Sequence, residues 1–146
     1  MKKVFISGSR SFKHLPHSFK EDIIRLAESK KCKFLVGDCD GVDSLVQKLL
    51  YDIHYKDVTV YASGRVPRNF YGSICWEKKL LDYPKIHDLR KYYEQKDIVM
   101  STDCDTAIVL WDGNSRGTKN NIDRIRSMGK EVLIFYREGN IINELP

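Results

Sequence analysis

Thr106-Ala107-Ile108-Val109-Leu110-Trp111, continuing at once into Asp112-Gly113-Asn114-Ser115-Arg116-Gly117-Thr118, is the stretch that decides the fold. From Ala107 to Trp111 the residues do not alternate between apolar and polar. A strand that is apolar on both faces belongs inside a sheet covered on both sides by helices. The seven residues after it are small, polar or charged, and a helix opens at about Lys119. Glycine lets a backbone approach a ligand closely. Backbone N–H groups at a helix start, with the Thr118 hydroxyl, form an anion cradle suited to phosphate. Arg116 and Lys119 add positive charge. The G-x-x-x-x-G-K-[ST] spacing is absent, so this is not a Walker A loop.

Four more short apolar runs read as strands: Val4–Ser7, Phe34–Val36, Val58–Ala62 and Val132–Tyr136. They are rich in β-branched and aromatic residues. Helical patterns fall between them. Ser18 with Glu21 makes an S-x-x-E capping box, opening a helix to about Lys31. Val42, Leu45, Val46, Leu49, Leu50 and Ile53 lie on a helical apolar stripe. Leu89, Tyr92, Tyr93, Val99 and Met100 give a third, broken by Lys96. Ile122, Ile125 and Met128 give the last, stopped by Gly129. Strands alternating with helices predict a parallel sheet. Right-handed crossovers then favour a three-layer, Rossmann-like α/β sandwich with a mainly parallel five-stranded sheet in the order 3-2-1-4-5. Residues 1–146 read as one domain. Residues 63–88 interrupt the alternation and read as an insert or flap. The tail from Arg137 onward reads as a short trailing segment.

The loops at the strand ends carry the chemistry. Strand 1 runs into Gly8-Ser9-Arg10-Ser11, and strand 2 into Gly37-Asp38-Cys39-Asp40-Gly41-Val42-Asp43. Strand 3 runs into Ser63-Gly64-Arg65-Val66-Pro67-Arg68-Asn69, and strand 4 into the Asp112–Thr118 loop. Ligands of open α/β sheets bind at the carboxyl ends of the strands, near the switch in strand order. Taken singly, each loop also reads as a plain turn, and Asp43 as a first-turn residue complementing a helix dipole. The first loop lacks G-x-G-x-x-G, which excludes a standard dinucleotide fingerprint. In the insert, Phe70, Tyr71 and Trp76 serve either to stack a base or to pack the insert onto the domain, and Trp76 reads as packing. Exposed aromatics there also allow a homodimer contact.

The chain carries 25 Lys+Arg against 20 Asp+Glu, a net charge of +5. The excess comes in blocks of +6 over residues 1–36, −3 over 37–62, +4 over 63–91 and −2 over 92–146. None is a dense basic run of the kind that marks strong non-specific DNA binding. Arg10, Arg65, Arg68, Arg116 and Lys119 are expected to converge on one strand edge, facing the acidic loop Asp38–Asp43. The four cysteines, Cys32, Cys39, Cys75 and Cys104, have neither metal-finger nor CxxC spacing, and no metal or cofactor is expected. No apolar run approaches the ~18 residues of a membrane span, and the N-terminal apolar run is too short for a signal-peptide core, so the expected location is cytoplasmic.

The four loops together resemble the SLOG superfamily, its YspA-like branch in particular, over about residues 3–136. The resemblance lies in Gly8-Ser9-Arg10, in Gly37 through Asp43, in Pro67-Arg68-Asn69 and in Trp111 through Asn120. It implies a Rossmann-like fold and binding of a nucleotide or nucleotide-derived ligand, often in a sensor module. The ligand-contacting set implied is Gly8, Ser9, Arg10, Gly37, Asp38, Gly41, Val42, Asp43, Arg65, Arg68, Asn69, Asp112, Gly113, Ser115, Arg116, Gly117 and Thr118. Two related families give alternatives. The lonely-guy phosphoribohydrolases cleave the N-glycosidic bond of nucleoside monophosphates through a G-G-x-G-T-x-x-E motif. This chain has Asn121 where that Glu belongs, and an amide cannot exchange a proton as a carboxylate does. Asp38, Asp43 and Asp112 are the candidates for a substitute catalytic carboxylate. The DNA-processing protein A family has similar first and second loops and binds single-stranded DNA, which makes nucleic acid a second candidate partner.

Overall fold

The computed structural model describes residues 1–84 and 86–146. Among the described residues, seven strands form one sheet: β1 (Lys2–Gly8), β2 (Cys32–Val36), β3 (Val58–Ser63), β4 (Glu77–Leu81), β5 (Thr106–Trp111), β6 (Glu131–Tyr136) and β7 (Asn140–Ile142). Their order is β4-β3-β2-β1-β5-β6-β7. The helices are α1 (His17–Ser29), α2 (Val42–Asp52), α3 (Leu89–Asp103) and α4 (Arg116–Ser127). The inner five strands, β3-β2-β1-β5-β6, are all parallel and take the expected 3-2-1-4-5 order.

Strand alternation divides the core into two layers. Val4, Ile6, Phe34, Val36, Val60, Ile108 and Leu110 point to the face covered by Phe19 and Ile23 of α1 and Val46 and Leu50 of α2. Phe5, Leu35, Ala107, Val109 and Trp111 point to the opposite face, under Met100 of α3 and Ile122 and Ile125 of α4. Both faces of β5 are therefore buried, as its unalternating sequence requires. The result is a three-layer Rossmann-like sandwich.

Two strands lie beyond the expected five. The stretch 63–88 is not a free flap, because it contains β4, which pairs parallel with β3 from Thr59↔Glu77 to Ser63↔Leu81. Its sequence, Glu-Lys-Lys-Leu-Leu, carries no strand signal because four of its five side chains are exposed at the sheet edge. Polar contacts hold it instead: the Thr59 hydroxyl donates to the Glu77 carboxylate at 2.9 Å, and Lys79 pairs with Asp103 at 2.8 Å. Lys85, in the same stretch, lies outside the described residues. The tail also contributes a strand, β7, which turns back antiparallel on β6.

The capping box at Ser18 is not formed. Ser18 lies inside α1, and its hydroxyl donates to the Gly139 carbonyl at 2.7 Å, while Pro16 occupies the N-cap. Trp76 and Phe70 turn inward, edge to face at 6.1 Å, and the indole N–H donates to the Tyr55 carbonyl. Among the described residues, that leaves Tyr71 and Tyr83 as the insert's exposed rings. No helix among the described residues is long and apolar enough to cross a membrane.

Candidate functional site

The strand order reverses between β1 and β5, whose loops diverge to opposite faces and leave a crevice at their carboxyl ends. The crevice has two adjoining lobes. The inner one, about 340 Å³, is lined by Ser7, Gly8, Ser11, Asp43, Asp112, Ser115 and Thr118 among others. The outer one, about 600 Å³, is lined by Arg68, Leu89, Arg90, Tyr93, Arg116 and Arg124 among others. Arg10, Cys39, Lys96, Asp97, Gly117 and Asn121 border both.

The first and fourth loops are knitted together by hydroxyls. Ser9 Oγ, almost fully buried, lies 2.8 Å from Ser115 Oγ and 3.3 Å from Thr118 Oγ1, and accepts the Asp112 N–H at 3.1 Å. Asp112 fills part of the predicted anion cradle itself. Its Oδ1 accepts the N–H groups of Asn114 and Ser115 at 2.8 and 2.7 Å, and its Oδ2 accepts from the Ser11 hydroxyl. Burial pushes the Asp112 carboxyl up, but these donors outweigh it and hold it below its ordinary value. Further along, Ser115 is the N-cap of α4, so the N–H groups of Arg116, Gly117 and Thr118 have no acceptor within the helix. A Cβ at Gly117 would meet nothing within 4 Å, so this turn is open to the cleft. Gly113 sits behind the loop, backed by Tyr136.

The second loop folds around buried charge. Asp38 is fully buried, and both its oxygens are taken by Arg68: Oδ2 accepts the backbone N–H and Oδ1 the guanidinium, each at 2.8 Å. Arg68 also lies over the Tyr93 ring, 4.1 Å from its centroid. Burial alone would lower the Arg68 pKa, but the Asp38 hydrogen bond and charge raise it. Asn69 donates to the Asp38 carbonyl and the Asp40 carboxylate, closing the loop. Gly41 adopts φ +78° at the N-cap of α2, with the Arg10 backbone where a side chain would stand. Val42 is buried against Gly8.

Asp43 of α2 and Lys96 of α3 both border the inner lobe. Asp43 is 6% exposed, and its Oδ2 accepts the Cys39 N–H at 3.1 Å. Burial pushes its carboxyl up to about 6, Lys96 opposes the rise, and Asp97 adds to it. Lys96, from α3, is 3% exposed and pairs with Asp97 at 2.7 Å. Burial would lower its pKa, but Asp97 and Asp43 keep it raised and charged. A Cβ on Gly37 would come within 2.9 Å of the Lys96 ammonium and press on the Asp43 carboxylate, so a larger residue here would push both side-chain ends aside. The same burial raises the Cys39 thiol, leaving little thiolate.

The predicted basic cluster is therefore only partly assembled. Arg10 and Arg116 stand exposed at the mouth, and Arg10 makes a loose 3.7 Å pair with Asp40. Arg65 is elsewhere, paired with Asp82 at 2.9 Å. Lys119 pairs along its helix with Asp123. Lys96 and Asp97 belong to none of the four loop motifs, so residue type and spacing do not single them out. The one hint is Lys96 breaking the apolar stripe of its helix, since a lysine turned inward needs a partner. Asn121 is buried, donates to Ser7 Oγ at 3.0 Å and accepts from Arg124 at 2.7 Å. Of the three candidate carboxylates, Asp38 and Asp112 are occupied by protein donors, and Asp43 alone keeps an oxygen for the cleft among the described residues. Among the described residues no group of three or more His, Cys, Asp or Glu is arranged to hold a metal ion.

A crevice bordered by many polar and charged side chains at the switch point of a parallel sheet lies where α/β domains hold their ligands. No protein-family model and no curated protein matches the chain. Among solved structures, it is similar to DNA processing protein A from Helicobacter pylori, in a structure described for its single-stranded DNA binding mode. The TM-score is 0.66 at 15% identity, over 97% of this chain and 68% of that one. At that identity the likeness is one of fold.

Proposed function

We propose that the chain binds a nucleotide or nucleotide-derived ligand in this two-lobed cleft. The observation that carries the reading is the meeting of the open first turn of α4 with exposed Arg10 and Arg116 at the cleft mouth. Backbone N–H groups and two guanidinium groups there suit a phosphate. The outer lobe offers Leu89 and Tyr93 to a base, and the inner lobe offers hydroxyls and carboxylates to a sugar. The SLOG resemblance supports the same ligand class, and a sensor or sequestering role follows from it. Calorimetric titration with nucleoside mono-, di- and triphosphates, cyclic nucleotides and ADP-ribose tests this. At least one is expected to bind and raise the melting temperature; no binding across the panel overturns the reading.

A second reading is single-stranded nucleic-acid binding. Arg90 beside Arg10 and Arg116 on an open rim favours it, as does the fold shared with a single-stranded-DNA-binding protein. An oligonucleotide would then bind with an affinity that falls steeply with salt. Tight oligonucleotide binding without mononucleotide binding would select it.

A further inference from the structure

We infer that the inner lobe is a ribose site, and that the cleft consequently prefers ribonucleotides to their 2′-deoxy counterparts. This rests on the nucleotide reading. Asp43 Oδ1 has no hydrogen-bond partner among the described residues, although the residue is only 6% exposed and borders the lobe. Asp97 gives Oδ1 to the Lys96 ammonium at 2.7 Å and leaves Oδ2 without a protein donor among the described residues. The lobe thus holds two carboxylate oxygens without a protein donor among the described residues, and a buried ammonium.

That set matches a vicinal diol. Each hydroxyl both donates and accepts, so the two O–H groups go to the two carboxylates while a hydroxyl oxygen accepts from Lys96. The other parts of a nucleotide fit worse. A phosphate set between Asp43 and Asp97, rather than at the first turn of α4, would meet an unfavourable juxtaposition of like charge. A base needs a flat apolar or aromatic face. Among the described residues, Phe5 is the only ring lining the inner lobe, whereas Tyr93 and Leu89 line the outer one. A 2′-deoxy sugar removes one of the two donors and leaves a carboxylate oxygen covered by the sugar without a partner. Such mismatches discriminate strongly.

The test is calorimetric titration with AMP, GMP, CMP and UMP and with the matching 2′-deoxy monophosphates, for the wild type, Asp97→Asn and Asp43→Asn. Circular dichroism checks that each variant is folded. In the wild type the ribonucleotide of each pair that binds is expected to bind at least about tenfold tighter. The variant at whichever of Asp97 and Asp43 takes the 2′-hydroxyl is expected to bring that ratio to within about twofold of unity, chiefly by weakening the ribonucleotide. Equal affinities in the wild type, or a ratio that survives in both folded variants, overturn the ribose assignment alone. Failure of all these monophosphates, together with the di- and triphosphates, cyclic nucleotides and ADP-ribose, to bind overturns the nucleotide reading and the ribose assignment with it.

Discussion

Asp43 is where sequence position and environment separate most. In the sequence it is a first-turn acid of α2, a common helix-dipole partner. In the structure it is buried beside Lys96, with a carboxyl raised to about 6. A raised carboxyl binds its proton more tightly folded than unfolded. Folding stability should therefore fall as pH rises from the ordinary carboxylate range to about 6, and stay low above it. Asp43→Asn keeps an acceptor for the Cys39 N–H and removes the ionisation. It should match the wild type at about pH 4 and exceed it at about pH 8 by about 2 kcal/mol, as measured by urea unfolding at the two pH values. Equal stabilities at the higher pH would contradict the raised carboxyl. The glycines and Asp38 stand out in the sequence by type and spacing. That Asp38 is consumed by Arg68 does not, because the pairing joins loops 30 residues apart.

At the scale of elements, legibility tracks burial. The inner five strands announce themselves because their side chains are predominantly apolar. β4 and β7 sit at edges, where β4 exposes charged residues and β7 is only three residues long. Hydrophobic pattern cannot report a strand that buries almost nothing. Helix α3 is legible as a broken stripe, and the break is the site lysine. The insert is pinned by Trp76, which is 6% exposed and bonded to the Tyr55 carbonyl. Trp76→Ala should cost about 3 kcal/mol. It should also raise amide hydrogen exchange across residues 70–81 before it affects β1 or β5. Uniform exchange throughout the sheet would show that the insert is not a separate layer of stability.

For the whole molecule, the net charge of +5 is less a global field than a distribution. Several cations near the cleft are neutralised locally: Arg68 by Asp38, Lys96 by Asp97 and Arg124 by Glu94. What remains is a rim. Arg10→Glu combined with Arg116→Glu should weaken a phosphorylated ligand at least about tenfold and flatten its salt dependence. It should leave the melting temperature of the free protein within a few degrees, because both side chains are exposed. Unchanged affinity would place the phosphate elsewhere.

The hydroxyl cluster of Ser9, Ser115 and Thr118 joins residues 106 and 109 positions apart. During synthesis, Arg10, Cys39, Asp43 and Arg68 are all made before β5 exists. Until Thr106–Thr118 has emerged and docked on β1, the cleft has one wall. A chain that stops short of α4 therefore cannot present the two-walled cleft, and closing it is a late event in synthesis.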